Sequence, residues 1–225
     1  MKPVAHIYTD FKTKFGVPRQ SGLSPSSLGR IVFMPAYRNI EAFRGLDGYS
    51  HIWLLWDFSE AHRPDGEWSP TVRPPRLGGN VRMGVWATRS PFRPNPIGLS
   101  SVKLERVELD TAEGPVLIVS GADLMNGTPI IDIKPYLSFT DSHPDATGGF
   151  AAEMNTKTEP LRVEFNLDVS RIFDSLQVKT LLEVLSQDPR PHYQHDASRI
   201  YTMEFADREL RFRVDGTLLQ VVEVN

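Results

Sequence analysis

The chain has 225 residues, with 25 Lys and Arg against 28 Asp and Glu, a formal net charge of −3, 40% hydrophobic residues and no cysteine. This is the composition of an ordinary globular protein of one large or two smaller domains. The missing cysteines exclude disulfides, thiolate nucleophiles, Fe–S clusters and Cys-ligated zinc. No stretch reaches the roughly 18 apolar residues of a membrane span. The start Met1-Lys2-Pro3-Val4-Ala5-His6 lacks the apolar core of a signal peptide, so a cytoplasmic protein is expected.

Alternating apolar and polar residues predict a first strand over Val4–Tyr8, and a short apolar run predicts a second over Ile31–Met34. Asn39 caps a short helix over Ile40–Leu46 that Asp47-Gly48 ends. His51–Phe58 reads as a strand buried on both faces, with His51 a satisfied core histidine, and Val81–Thr88 as another strand. Ser101–Leu109 alternates imperfectly, which points to a bulge, and Pro115–Ser120 and Pro129–Ile133 are further short strands. Short strands separated by turn residues suggest a barrel or sandwich. Asp141–Asn155, rich in Gly, Ala, Asp and Pro, reads as a linker or long loop. Beyond it, Ile172, Phe173, Leu176, Leu181, Leu182 and Leu185 recur at helical spacing and predict a helix over about 170–186, beginning at Ser170 and ended by Asp188-Pro189. Strands follow over Ile200–Phe205, Leu210–Val214 and Leu218–Val224, with a hairpin turn at Asp215-Gly216. The expected fold is mainly β: an N-terminal β-barrel domain over 1–150 and a small α+β C-terminal domain over 151–225.

Neither the Gly-rich dinucleotide fingerprint nor a P-loop is present, which argues against a Rossmann or P-loop fold. The six His are scattered and there is no His-Glu-x-x-His, so no metal site is expected. One segment stands out in charge. From Trp68 to Leu104 there is no acidic residue, yet it holds Arg73, Arg76, Arg82, Arg89, Arg93 and Lys103 together with six prolines. Proline keeps these arginines on stiff loops and strand ends. Arg89 and Arg93, four residues apart around Pro-rich turns, fit either an anion or nucleotide site or a solvated turn. Asp132 and Lys134 share one face of a strand, with Tyr136 following on the same side, as a surface ion pair or a pocket lining.

Five runs occur in one order: Pro18-Arg19-Gln20-Ser21-Gly22, Arg73 through Asn80, Arg89-Ser90-Pro91-Phe92-Arg93-Pro94-Asn95-Pro96-Ile97-Gly98, Gly127-Thr128-Pro129 with Asp132-Ile133-Lys134-Pro135-Tyr136, and Asp188-Pro189-Arg190-Pro191. Together they resemble the TrmO (TsaA-like) family of tRNA methyltransferases over nearly the whole chain. The resemblance implies an S-adenosylmethionine-dependent enzyme built on a non-Rossmann β-barrel. It would methylate N6 of threonylcarbamoyladenosine beside the anticodon of threonine-accepting tRNA. It also implies a homodimer with the cofactor site near the subunit boundary, and a C-terminal domain that contacts tRNA. The cofactor contacts carried over are Gln20, Ser21, Gly22, Ser59, Glu60, Arg89, Leu99, Thr128, Pro129, Ile130, Ile131 and Asp132. Trp86 stands where Phe is usual, and Asn126 replaces an acidic residue common before Gly-Thr-Pro.

Within that reading Asp132 is the candidate to orient N6 or accept its proton, with Lys134 and Tyr136 fixing its charge. Arg73, Arg76, Arg82, Arg93, Asn95 and Arg190 are candidate tRNA contacts; Arg73 and Arg76 could instead pair with acidic residues of the other domain. Trp53, Trp56 and Trp86 are expected in the core, and Trp68, in a polar loop, is the better candidate for stacking on a base. A non-catalytic RNA-binding barrel and a small-molecule methyltransferase acting on an acidic metabolite are the alternatives.

Overall fold

A computed structural model describes residues 1–62, 67–74, 77, 80–156, 159–190, 194 and 196–225, with the side chains of 153–156 outside that description. Six antiparallel strands close a barrel in the order β1-β2-β7-β6-β3-β8. They are β1 (Ala5–Thr9), β2 (Leu28–Phe33), β3 (His51–Asp57), β6 (Ile97–Glu108), β7 (Val116–Ser120) and β8 (Thr128–Pro135). Closure removes the exposed strand edges. It also gives each strand one inward and one outward face, and Ile7, Ile31, Ile52, Leu54, Leu117, Val119 and Ile130 fill the interior.

This geometry corrects the reading of β3 as buried on both faces. Ile52, Leu54 and Trp56 point inward, while Trp53 and Leu55 are half-buried on the outer wall. His51 is exposed at the strand's start and pairs through Nδ1 with the Ser50 hydroxyl at 3.0 Å, so it is no core histidine. The bulge expected in Ser101–Leu109 is present, as a register shift between Leu104 and Arg106 against β7.

Only Met83–Gly84 of the strand expected over Val81–Thr88 forms. As β5 it pairs with β4 (Thr71–Val72) in a small ribbon, and a 3-10 turn over Val85–Ala87 follows. Asn39 does cap, accepting from the Glu41 amide at 3.0 Å, but the helix it starts is a single 3-10 turn over Ile40–Phe43. The stretch read as a linker is partly helical, with α1 (Ser138–Asp141) and α2 (Gly149–Thr156). The run Ala151-Ala152-Glu153-Met154 is made of good helix formers, whose propensity outweighs the loop-like composition around it.

The C-terminal part holds a second sheet in the order β10-β11-β12-β9, from β9 (Arg162–Phe165), β10 (Tyr201–Phe205), β11 (Arg208–Asp215) and β12 (Leu218–Val224). Strand β9, parallel to β12, was not foreseen from the sequence. The helix expected over 170–186 is split into a 3-10 turn at Val169–Arg171 and α3 (Ser175–Ser186). Asp174 makes the break: its carboxylate accepts from the amides of Leu176 and Gln177 while the Gln177 side chain returns to the Asp174 amide. The core under this sheet also takes Phe11, Phe15 and Val17 from the segment after β1.

Polar contacts tie the two parts together. Glu183 on α3 accepts from the Ser24 hydroxyl at 2.9 Å, the Ser26 amide at 3.0 Å and the Ser26 hydroxyl at 2.8 Å. Arg19 donates to the carbonyl of Asp188 at 2.6 Å, and Gln187 to that of Leu23 at 2.8 Å. The segment from Arg19 to Ser26 is therefore held from the C-terminal side.

Candidate functional site at the barrel mouth

At one end of the barrel β3 runs out into a 3-10 turn over Ser59–Ala61, beside the segment that enters β8 and the Pro91-Phe92 loop. Between them lies an open cavity of about 370 Å³, within the range of small-molecule sites. Trp56, Phe58 and Phe92 give it aromatic walls, and Asp57, Glu60 and Asp123 bring carboxylates. Glu60 is paired with Lys14 at 2.9 Å, and Asp57 with His62 at 2.7 Å.

Gly98 makes the Trp56 wall possible. The two residues are cross-strand partners, and a Cβ on Gly98 would lie 2.1 Å from the indole. The ring lies against the bare backbone, and its Nε1 donates to the Ser100 hydroxyl at 3.0 Å, which donates in turn to Asp123. Asp123 is the buried end of this chain. Burial pushes its carboxyl above the usual range, against the opposing pull of the Ser100 hydroxyl, its own amide, the Ser21 amide and the Arg89 charge. The loop above it is fixed by backbone: the Gly22 amide donates to the Gly121 carbonyl at 2.8 Å, with both glycines at positive φ.

Several expected residues come together here. Ser59, Glu60 and Thr128 line the cavity. Gln20 accepts from the Arg89 guanidinium, and Ser21 reaches Asp123 through its amide, so the loop Gln20-Ser21-Gly22 and Arg89 border the same carboxylate. Asn126 performs the turn: its side-chain carbonyl accepts from the Thr9 amide at 3.1 Å, and Gly127 at φ 80 lets the chain enter β8. The sequence offered one signal for Asp123 that went unused, a lone carboxylate between Ala122 and Leu124 just after an apolar strand.

Other expected residues lie elsewhere. Asp132, Lys134 and Tyr136 share a face on the outer wall of the barrel, away from this cavity. Asp132 and Lys134 form an exposed ion pair at 3.0 Å, and the Tyr136 ring lies 5.5 Å from Trp53 outside the barrel. The cause is strand parity: Thr128 and Ile130 face inward, and a register shift opposite Leu55 and Trp56 then keeps Asp132 and Lys134 outside. Ile130 is fully buried in the barrel core, while Pro129, Ile131 and Leu99 do not line the cavity, Leu99 being 55% exposed on the outer wall. Arg190 is no free cation either. It is 8% exposed and donates twice to the Asp188 carboxylate, at 2.8 and 2.9 Å. Of the other tRNA candidates Arg73, Arg82 and Asn95 are exposed, Arg93 is half-buried, and Arg76 lies outside the described residues. Trp56 is buried as expected, whereas Trp86 is 67% exposed.

Among the described residues no group of His, Asp and Glu is placed to hold a metal, and no helix is long and apolar enough to cross a membrane. A closed antiparallel barrel with a cavity at one mouth defines the class: a six-stranded β-barrel protein, distinct from the open parallel sheets of dinucleotide folds.

The family model described as tRNA-methyltransferase O N-terminal domain matches residues 6–142, and that described as TrmO C-terminal domain matches residues 158–225. The chain belongs to the tRNA-methyltransferase O family. It is 43% identical over 223 residues to the tRNA (adenine(37)-N6)-methyltransferase of Escherichia coli (strain K12), covering 96% of this chain and 93% of that protein. It is 36% identical over 142 residues to a protein of Methanothermobacter thermautotrophicus named "Probable S-adenosyl-L-methionine-binding protein", covering 63% of this chain and 93% of that one. The solved structure of TrmO from Pseudomonas aeruginosa superposes with a TM-score of 0.75 at 29% identity, covering 100% of this chain and 97% of the other.

Proposed function

We propose that the protein transfers the methyl group of S-adenosylmethionine to N6 of adenosine 37 in tRNA, and that this adenosine already carries a threonylcarbamoyl group in threonine-accepting tRNAs. The name of the Escherichia coli relative supports the atom and the position. The observation that carries the reading is the barrel-mouth cavity with the buried Asp123 carboxylate in its wall, Arg89 beside that carboxylate and the Pro91-Phe92 loop at its edge.

The cavity residues fit the cofactor. Trp56, Phe58 and Phe92 offer faces for its adenine, carboxylates suit its cationic sulfonium and ammonium, and Arg89 suits its carboxylate. When bound, S-adenosylmethionine supplies an electrophilic methyl on a sulfonium. The N6 lone pair is delocalised into the purine, so the chain must contribute mainly alignment and desolvation, on the order of 7–11 kcal/mol. Thr128, Trp56 and the Gln20-Ser21-Gly22 loop would hold the cofactor and the base. Asp123 would accept the proton that N6 sheds when it gains the methyl group. Its raised affinity for a proton makes it a better acceptor than a solvated carboxylate.

We also propose a cytoplasmic homodimer of two-domain chains, divided near residue 150. The outer wall bearing Leu99, Ile97 and Asp132 would be its interface, through which a second copy brings these residues to a shared site; Leu99 and Ile97 are 55% and 38% exposed there.

The test is transfer of a labelled methyl group to tRNA with and without the threonylcarbamoyl group, followed by mass spectrometry of the nucleosides. The expected product is N6-methylated threonylcarbamoyladenosine. Equal methylation of plain adenosine 37 would remove the modified base from the proposal, and no methylation of either tRNA would overturn it.

A further inference from the structure

The ribbon of β4 and β5 brings two distant tryptophans together. Trp68 precedes β4 and Trp86 follows β5, and the Val85 amide extends the ladder by donating to the Pro70 carbonyl at 2.9 Å. The indole centroids lie 5.7 Å apart with the rings tilted by 38°. Both rings stay in solvent, Trp68 at 45% and Trp86 at 67% exposure. The Arg93 guanidinium lies 5.5 Å from the Trp86 centroid and is anchored to the Thr88 carbonyl at 3.2 Å. Arg93 adjoins Phe92, which lines the cavity, so this surface continues into the barrel mouth.

Two exposed indoles and a stacked guanidinium present flat faces that water solvates poorly. Their surroundings decide what covers them. Arg93 lies over Trp86, and Arg73 and Arg82, both exposed, flank the far end of the same ribbon, against one neighbouring carboxylate among the described residues, Glu67 before Trp68. An identical copy apposed here would set arginines against arginines, whereas a polyanion with unpaired bases meets both the charge and the flat faces. We propose that Trp68, Trp86 and Arg93 form a stacking platform for unpaired bases of RNA that flank the base entering the cavity. This rests on the reading of the cavity as the methyl-transfer site.

The test measures the affinity of an anticodon stem-loop RNA for the full chain and for Trp86→Ala, Trp86→Phe and Trp68→Ala, at two salt concentrations. Cofactor calorimetry, thermal melting and sedimentation are run on each. Base–aromatic stacking sets the expected loss at roughly 5- to 150-fold for each alanine variant. Trp86→Phe should retain most of the affinity. The salt dependence should not change, because no charge is removed. Cofactor affinity and melting temperature should match the unaltered protein. RNA binding by Trp86→Ala equal to that of the unaltered chain, with methylation intact, would overturn the platform and leave the enzyme reading standing. A change in assembly state on Trp86→Ala would assign the pair to a protein interface and equally overturn it. Failure of the unaltered chain to bind the RNA at all would sink both.

Discussion

Substituting Glu183 tests how the C-terminal part serves the barrel. Its carboxylate holds three donors of the segment after the Gln20-Ser21-Gly22 loop, the Ser26 amide and the hydroxyls of Ser24 and Ser26, residues that are 0% and 5% exposed. In Glu183→Ala both buried hydroxyls lose their acceptor, at about 1–3 kcal/mol each when unsatisfied. Some relaxation at this half-buried site brings the expected total to about 3 kcal/mol. For a chain of this size that lowers the melting temperature by about 6–12 °C. Glu183→Gln keeps an acceptor oxygen and loses the charge, costing about 1 kcal/mol. If half the lost energy holds the Arg19–Ser26 segment in its bound geometry, the cofactor dissociation constant of Glu183→Ala rises by about tenfold. Calorimetry with S-adenosylmethionine, beside a melting curve on the same samples, reads both quantities. A melting temperature that falls as expected while cofactor affinity stays within about twofold would refute the idea that α3 positions the cofactor loop.

Two further perturbations address the cavity itself. Gly98→Ala puts a Cβ 2.1 Å from the Trp56 indole, so the ring must leave its seat against β6 and give up its bond to Ser100. The expected cost is about 1–3 kcal/mol, with weaker cofactor binding and red-shifted tryptophan emission; melting and emission like those of the unaltered protein would refute the seat. For Asp123 the sign follows from its raised carboxyl. Turnover should climb as pH rises through that value, and folding stability should fall over the interval from the unfolded carboxylate value up to it. Asp123→Asn should lose the rising limb of the pH–rate profile and that loss of stability while still binding cofactor; an unchanged profile would remove Asp123 as the proton acceptor.

How far the sequence shows this site depends on which kind of information each residue carries. Alternation marks a strand's two faces and made β1 and part of β6 legible, while apolar runs marked β2 and β7 within a few residues. It marks a face without saying which side is the lumen. That is why Asp132, Lys134 and Tyr136 could be grouped on one face while a surface ion pair and a pocket lining both stayed open; the ion pair is what a single chain shows. On a closed barrel the polar face of a strand points outward by default, and here the extra residue Ile131 at the register shift reverses the parity of β8, so that Asp132 and Lys134 face outward although Thr128 and Ile130 face inward. Loop residues behave differently. Ser59 and Thr128 sit at strand ends, where closure gathers them at one mouth. Gln20, Ser21 and Arg89 lie on longer loops, brought to Asp123 by contacts that no strand pattern encodes. Arg190 is buried for a local reason that the sequence did contain: Asp188, two residues away, pairs with it. Trp86 is exposed for a non-local one. The strand expected there stops at Gly84, and the 3-10 turn that replaces it turns the indole out towards Trp68 and Arg93. A large aromatic left outside the core, beside a cation and next to the cavity, is a departure from ordinary packing, and such departures mark the surfaces where a partner completes the burial.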